Sequence, residues 1–93
     1  MTSKKRVEII VRGRVQGVGY RDYVRREAKA RKLIGWVRNE PDGTVRAHAE
    51  GAHADLESWL DALHLGPGAA SVERIDEEWG DPQEVLGGFD VIW

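Results

Sequence analysis

Three glycines fall within seven residues in Gly13-Arg14-Val15-Gln16-Gly17-Val18-Gly19, and Tyr20 and Arg21 follow at once. Backbone this permissive can turn successive amide N–H groups toward one centre, which makes an anion-binding concavity. The residues from Tyr20 onward have helical spacing, so the positive end of a helix dipole falls at the same place and favours a phosphate. Arg21 would sit in the first turn of that helix, where its charge opposes the dipole, and a bound dianion would attract both. The same glycines also suit a plain, tight strand-to-helix connection, and the loop alone does not separate the two readings. No Gly-Lys-Ser/Thr follows at the spacing of a nucleotide-binding P-loop, and Gly17-Val18-Gly19 lacks the parallel βαβ setting of a dinucleotide site. Cysteine is absent, which excludes disulfides, thiolate metal sites and a sulfur nucleophile.

The elements that must position this loop follow from periodicity. Val7, Ile9 and Val11 alternate along a β-branched strand over Val7 to Arg12, and Ile10 adds apolar surface to its other face. A helix over Tyr20 to about Lys32 carries an apolar stripe of Tyr20, Val24 and Ala28 with Tyr23 and Ala30, opposite a charged face, and Leu33-Ile34-Gly35 breaks it. Two strands, Ile34 to Asn39 and Thr44 to Glu50, flank Glu40-Pro41-Asp42-Gly43, a strong turn signal. In the second of them Val45, Ala47 and Ala49 point one way and Arg46, His48 and Glu50 the other, a hairpin with one buried face. Ala52, Leu56, Trp59, Leu60 and Leu63 mark a second amphipathic helix, stopped by Gly66-Pro67-Gly68. Val72 to Trp79 reads as a further strand in which Val72 and Ile75 are out of step, as a bulge would make them. Phe89, Val91 and Trp93 alternate in a short terminal strand. The order βαββαβ plus this extra strand is that of an α+β, ferredoxin-like split βαβ sandwich, with a mainly antiparallel sheet and two helices on one face.

Ninety-three residues, 41% hydrophobic and 32% charged, are expected to form one domain over 1–93. No apolar run approaches a bilayer span and Met1 to Arg6 leads straight into a strand, so a cytoplasmic protein without a membrane partner is expected. The net charge of −2 hides an asymmetry: residues 1–40 are strongly basic and residues 41–93 strongly acidic. Six of the cations, Arg21, Arg25, Arg26, Lys29, Arg31 and Lys32, fall in one predicted helix, where a solvated face is the ordinary reading for all but Arg21.

Gly13-Arg14-Val15-Gln16-Gly17-Val18-Gly19-Tyr20-Arg21 closely resembles the first signature of the acylphosphatase family: glycine, any residue, Val-Gln-Gly-Val, any residue, an aromatic and arginine. Gly35-Trp36-Val37-Arg38-Asn39, running into Asp42-Gly43-Thr44-Val45, resembles the second. The resemblance covers nearly the whole chain, and only Glu78 to Gly88 has no pattern that aligns with it. It implies a hydrolase that splits the carboxyl-phosphate bond of acyl phosphates, without cofactor, metal or covalent intermediate. It further implies that the amides of Arg14, Val15, Gln16, Gly17 and Val18 and the guanidinium of Arg21 bind the phosphate, with Arg21 and Asn39 catalytic. Asn39 would hold the attacking water, and Gly13, Gly19, Tyr20 and Thr44 would stand behind these groups. The chemistry fits, because a carboxylate leaves without a strong general acid and phosphoryl transfer depends mainly on positioning and charge. Inorganic phosphate is the expected product and competitive inhibitor, and a monomer is expected.

The remaining candidates have ordinary explanations. His48, His53 and His64 lack metal-ligand spacing, and Glu77, Glu78 and Asp81 read as a solvated acidic strand end. Trp36, Trp59, Trp79 and Trp93 read as packing residues. The rival function is an RNA- or ligand-binding or regulatory module on the same fold. The strands carry no aromatic RNP1-like pattern for stacking bases, so no nucleic-acid partner is expected.

Overall fold

The structure, a computed structural model, describes residues 3–83 and 87–92. Seven elements follow in the order β1 (Lys4–Arg14), α1 (Tyr20–Ala30), β2 (Ile34–Asn39), β3 (Val45–Ala52), α2 (His53–Leu65), β4 (Ser71–Gly80) and β5 (Phe89–Val91). The five strands form one sheet in the order β4-β1-β3-β2-β5, antiparallel throughout except that β5 runs parallel to β2. β1 lies inside the sheet between β4 and β3 and is apolar enough to be covered, with Val7, Ile9 and Val11 buried. Those side chains join Val37, Val45, Ala47 and Ala49 in one core with Val24 and Ala28 of α1 and Leu56, Trp59 and Leu63 of α2. This is the ferredoxin-like α+β architecture expected from the element order.

The two helices are also joined by polar contacts. The Tyr20 and Tyr23 hydroxyls donate to the carbonyls of Leu63 (2.8 Å) and Ala62 (2.7 Å), and the Trp59 indole donates to Val24 O (3.2 Å). Intrahelical partners run out in the last turn of a helix, so Tyr20 caps the Leu63 carbonyl of α2, while Tyr23 adds a second donor to Ala62 O, which Gly66 N already bonds. Burial raises the Tyr20 hydroxyl well above the ordinary phenolic range, with a smaller contribution from Tyr23.

Several expectations need correction. α1 ends at Ala30, not near Lys32, and Lys32 takes a left-handed φ of 58° that turns the chain into β2. Ala30 is exposed, so the apolar stripe of α1 stops at Ala28. β1 is longer than expected at both ends, and Gly13 and Arg14 belong to it, paired with Val72 and Ser71. The suspected irregularity in β4 is present: Arg12 pairs with Arg74 and Gly13 with Val72, leaving Glu73 as the extra residue. The strand β3 does not have one buried face only. His48 and Glu50, expected on an open surface, are 2% and 3% exposed. Trp36, directly across from His48 on β2, stacks on its ring at 6.0 Å, and the backbone N–H of Gln83 donates to Glu50 Oε2 (3.0 Å). The alternation was right about direction, but an aromatic neighbour and a chain crossing cover the second face. Trp59 is buried and Trp36 and Trp79 partly so, while Trp93 lies outside the described residues.

Candidate active site

The turn left between β1 and α1 is Val15 to Gly19. Two of its glycines have left-handed φ, 72° at Gly17 and 77° at Gly19, with open space where a Cβ would be, so backbone conformation demands glycine there. Gly13 differs. A Cβ there would overlap the Ser71 carbonyl oxygen on β4, so this glycine serves the close approach of two strands at the bulge.

Gly19 is the N-cap of α1 and contributes no side chain to cap it, so the positive end of the helix faces the turn without a built-in acceptor. Val15, Gly17, Gly19, Tyr20 and Arg21 line one side of a cavity of about 460 Å³. Asn39, at the end of β2, lines the same cavity. Its carboxamide oxygen is buried and has no hydrogen-bond partner among the described residues. A buried acceptor in that state is costly to keep. Arg21 and Asn39 are thus brought together from positions eighteen residues apart, because the strand order sets β2 and the start of α1 side by side.

The other expected residues divide. Arg14, Gln16, Val18 and Thr44 do not line the cavity. Arg14 is exposed in strand pairing with Ser71, and Val18 packs on the core. Thr44 Oγ1 donates to Asp42 Oδ1 (2.6 Å), which lowers the Asp42 pKa, the ordinary behaviour of a turn-flanking threonine. Gln16 reaches the other way: its Nε2 donates to Glu40 O (2.8 Å) and Thr44 O (2.9 Å), the two ends of the turn that follows Asn39. The sequence motif contains Gln16, but nothing in its spacing indicates a tie to a hairpin more than twenty residues away.

The far part of the cavity was not anticipated. Asp22, Arg25 and Lys29 of α1 face Phe89, Asp90 and Val91 of β5. Hydrogen bonds from Arg25 (2.8 Å) and Arg26 (2.9 Å) to Asp22 hold that carboxylate below its usual pKa. Arg31 pairs with Glu27, so much of the basic face of α1 is the self-paired, solvated surface expected. Among the described residues no group of three or more His, Asp or Glu converges in a metal-binding arrangement. Among the described residues no helix is long and apolar enough to cross a membrane.

A split βαβ sandwich with an uncapped helix N-terminus beside a glycine turn defines a small α+β protein with an open cavity at one helix end. The acylphosphatase family model matches residues 7–91. An acylphosphatase from Salinibacter ruber is 48% identical over 89 residues, 96% of this chain and 94% of that protein. The crystal structure of an acylphosphatase from Bacillus subtilis superposes with a TM-score of 0.93 at 39% identity, covering 96% of this chain and 99% of that one. An acylphosphatase from Coxiella burnetii gives a TM-score of 0.89 at 31% identity, covering 96% and 93%. The chain belongs to the acylphosphatase family of hydrolases, and the RNA- or ligand-binding alternative is not favoured.

Proposed function

We propose that this chain hydrolyses acyl phosphates by in-line attack of water, with Arg21 and Asn39 as the catalytic pair. The observation that supports this most directly is the cavity that Arg21 and Asn39 line together beside the uncapped start of α1. The phosphoryl oxygens lie against the turn amides of Val15 to Gly19 and the first turn of α1, and Arg21 supplies two parallel donors. Asn39 cannot act as a strong base, but its oxygen accepts a hydrogen bond from water and fixes the line of attack. The water oxygen forms a bond to phosphorus as the bond from phosphorus to the bridging oxygen breaks, and that electron pair leaves on the carboxylate. The proton lost by water passes to phosphate or solvent. The leaving carboxylate needs no general acid, so charge stabilisation by Arg21 and the helix end carries the step without a metal.

The same reading makes residues 1–93 one domain acting as a cytoplasmic monomer, with no nucleic-acid partner and with inorganic phosphate as product and competitive inhibitor. The test is hydrolysis of benzoyl phosphate with EDTA present. Arg21→Lys keeps the charge but loses the paired donor geometry, and Asn39→Ala removes the water acceptor. Each is expected to lower kcat by about 10²- to 10³-fold. Wild-type rates in either variant, or turnover that EDTA abolishes, would show the assigned roles to be wrong.

A further inference from the structure

The strand order puts β4 and β5 at opposite edges of the sheet, so the chain from Gly80 to Phe89 must cross β1, β3 and β2. That width is four inter-strand spacings, about 19 Å. The nine residue steps from Gly80 to Phe89 reach about 30 Å when extended, so chain length alone does not fix where β5 arrives. Among the described residues, three hydrogen bonds tie the crossing down, one on each strand and in crossing order. Arg6 Nε of β1 donates to Asp81 O (3.2 Å), Gln83 N donates to Glu50 Oε2 of β3 (3.0 Å), and Gly35 N of β2 donates to Gly88 O (3.0 Å). The middle anchor is the one made by a buried side chain. Glu50 lies on the sheet face away from the helices, outside the apolar core, and none of the groups around it lines the cavity. A buried carboxylate is costly unless it is hydrogen-bonded. His48 Nε2, also buried, lies 2.8 Å from the same Oε2, and because an ionised carboxylate can only accept, that nitrogen carries the hydrogen. His48 Nδ1 is 3.6 Å from Glu8 Oε1, and Glu8 in turn lies 3.5 Å from Arg46. Trp36 stacks on the imidazole, with Arg38 over its own ring at 5.0 Å, so the imidazole that holds Glu50 is itself held from β1 and β2.

We propose that Glu50, held by His48, is a positioning residue for the reaction: it clamps the crossing segment at Gln83 and so sets β5, whose Phe89, Asp90 and Val91 form the cavity wall facing α1. The consequence for turnover rests on the acylphosphatase reading above. A carboxylate suits the task better than a neutral amide, because a charge-assisted hydrogen bond is about twice as strong. β5 has only three residues and one neighbouring strand, so its own pairing gives it little hold. The phosphate end is built differently, from the turn after β1 and the start of α1, which the crossing segment does not support.

That separation gives the test, made on the full chain with benzoyl phosphate as substrate, inorganic phosphate as inhibitor, and amide hydrogen exchange. Glu50→Ala is expected to raise KM for benzoyl phosphate about tenfold while the inhibition constant of inorganic phosphate stays within about twofold. Glu50→Gln keeps an acceptor for Gln83 N and should recover part of the loss. In Glu50→Ala the amides of Gly35 and Ile92, which bond Gly88 O and Val37 O across the β2–β5 boundary, should exchange about tenfold faster, and the Tyr23 amide at the start of α1 should not change. Gln83 is exposed, so Gln83→Pro removes the donor and leaves the buried pair intact, and it should reproduce the same pattern even if Glu50→Ala fails to fold. Wild-type exchange at Gly35 and Ile92 in Gln83→Pro, or a KM and a phosphate constant that rise together, would overturn the proposal, since general destabilisation gives no such split. A wild-type chain inactive on benzoyl phosphate would instead remove the hydrolase reading, and the exchange pattern would still decide whether Glu50 sets β5.

Discussion

Gln16 connects the two halves of the site through a single carboxamide. Its two hydrogen bonds to Glu40 O and Thr44 O fix the turn after Asn39 relative to the turn before Arg21. Both carbonyls keep another donor, since Gly43 N bonds Glu40 O and Glu40 N bonds Thr44 O. Gln16→Leu therefore strands no acceptor, and its stability cost is expected near the low end for two lost bonds, about 1–2 kcal/mol. Activity should suffer more. A misplacement of about 1 Å in a positioning group costs on the order of 10²-fold, so kcat should fall about 10- to 100-fold while KM changes little. Gln16→Glu should be worse, because a carboxylate there faces two carbonyl oxygens. Steady-state kinetics beside urea denaturation check this, and a variant with normal kcat would show that Asn39 is placed without Gln16. The sequence made Gln16 visible as a motif residue, but only the fold reveals what its side chain holds.

Among the elements, the strand-to-helix turn and the bulge before it use glycine for different reasons, and substitution separates them. At Gly13 a methyl group meets the β4 backbone, and φ is 129°. Gly13→Ala must displace a strand pair, so its destabilisation is expected to exceed about 2 kcal/mol. Gly19 has space for a methyl group, and Gly19→Ala carries only the left-handed backbone cost of about 1–2 kcal/mol. Its larger effect is expected on phosphate affinity, because relieving that strain turns the N-cap and the amides beside it. Denaturation midpoints together with inhibition by inorganic phosphate distinguish the two, and equal stability losses would contradict the distinction. Element types were legible because β-branched alternation and the Leu56-Trp59-Leu60-Leu63 spacing each admit one periodicity. Element surroundings were not. His48 and Glu50 alternate like surface residues, and their burial depends on Trp36 and on the backbone at Gln83, thirty-three residues beyond Glu50. Nothing local encodes that cover.

Across the whole molecule, the candidate cavity draws on α1, the end of β2 and the short β5, which joins the sheet in parallel beside β2. Arg21 and Asn39 could be paired in advance because two motifs name them, whereas the β5 wall depends on a three-residue strand with long-range pairing and little pattern of its own. The same global packing shapes the response to pH. Asp22, Asp42 and Asp76 are all held below the carboxylate value of 3.8, by hydrogen bonds from Arg25, Thr44 and Arg12 respectively. Their contribution to stability is complete above that value and is lost as pH falls through the lowered folded-state values. All three lie at the surface, so the acid loss should be gradual and weakened by salt. Tyr20 sets the opposite limb. Its folded pKa is raised above the unfolded value of 10.0, so the stability it supplies is complete below that value and is lost as pH rises beyond it. Urea midpoints measured from acid to alkaline pH should form a plateau between about pH 5 and 9, falling on both sides. Tyr20→Phe leaves the Leu63 carbonyl without the hydroxyl and should cost about 1 kcal/mol on the plateau, while flattening the alkaline limb. An alkaline limb equally steep in that variant would mean that the α1–α2 contact at Tyr20 is not what the high-pH transition breaks.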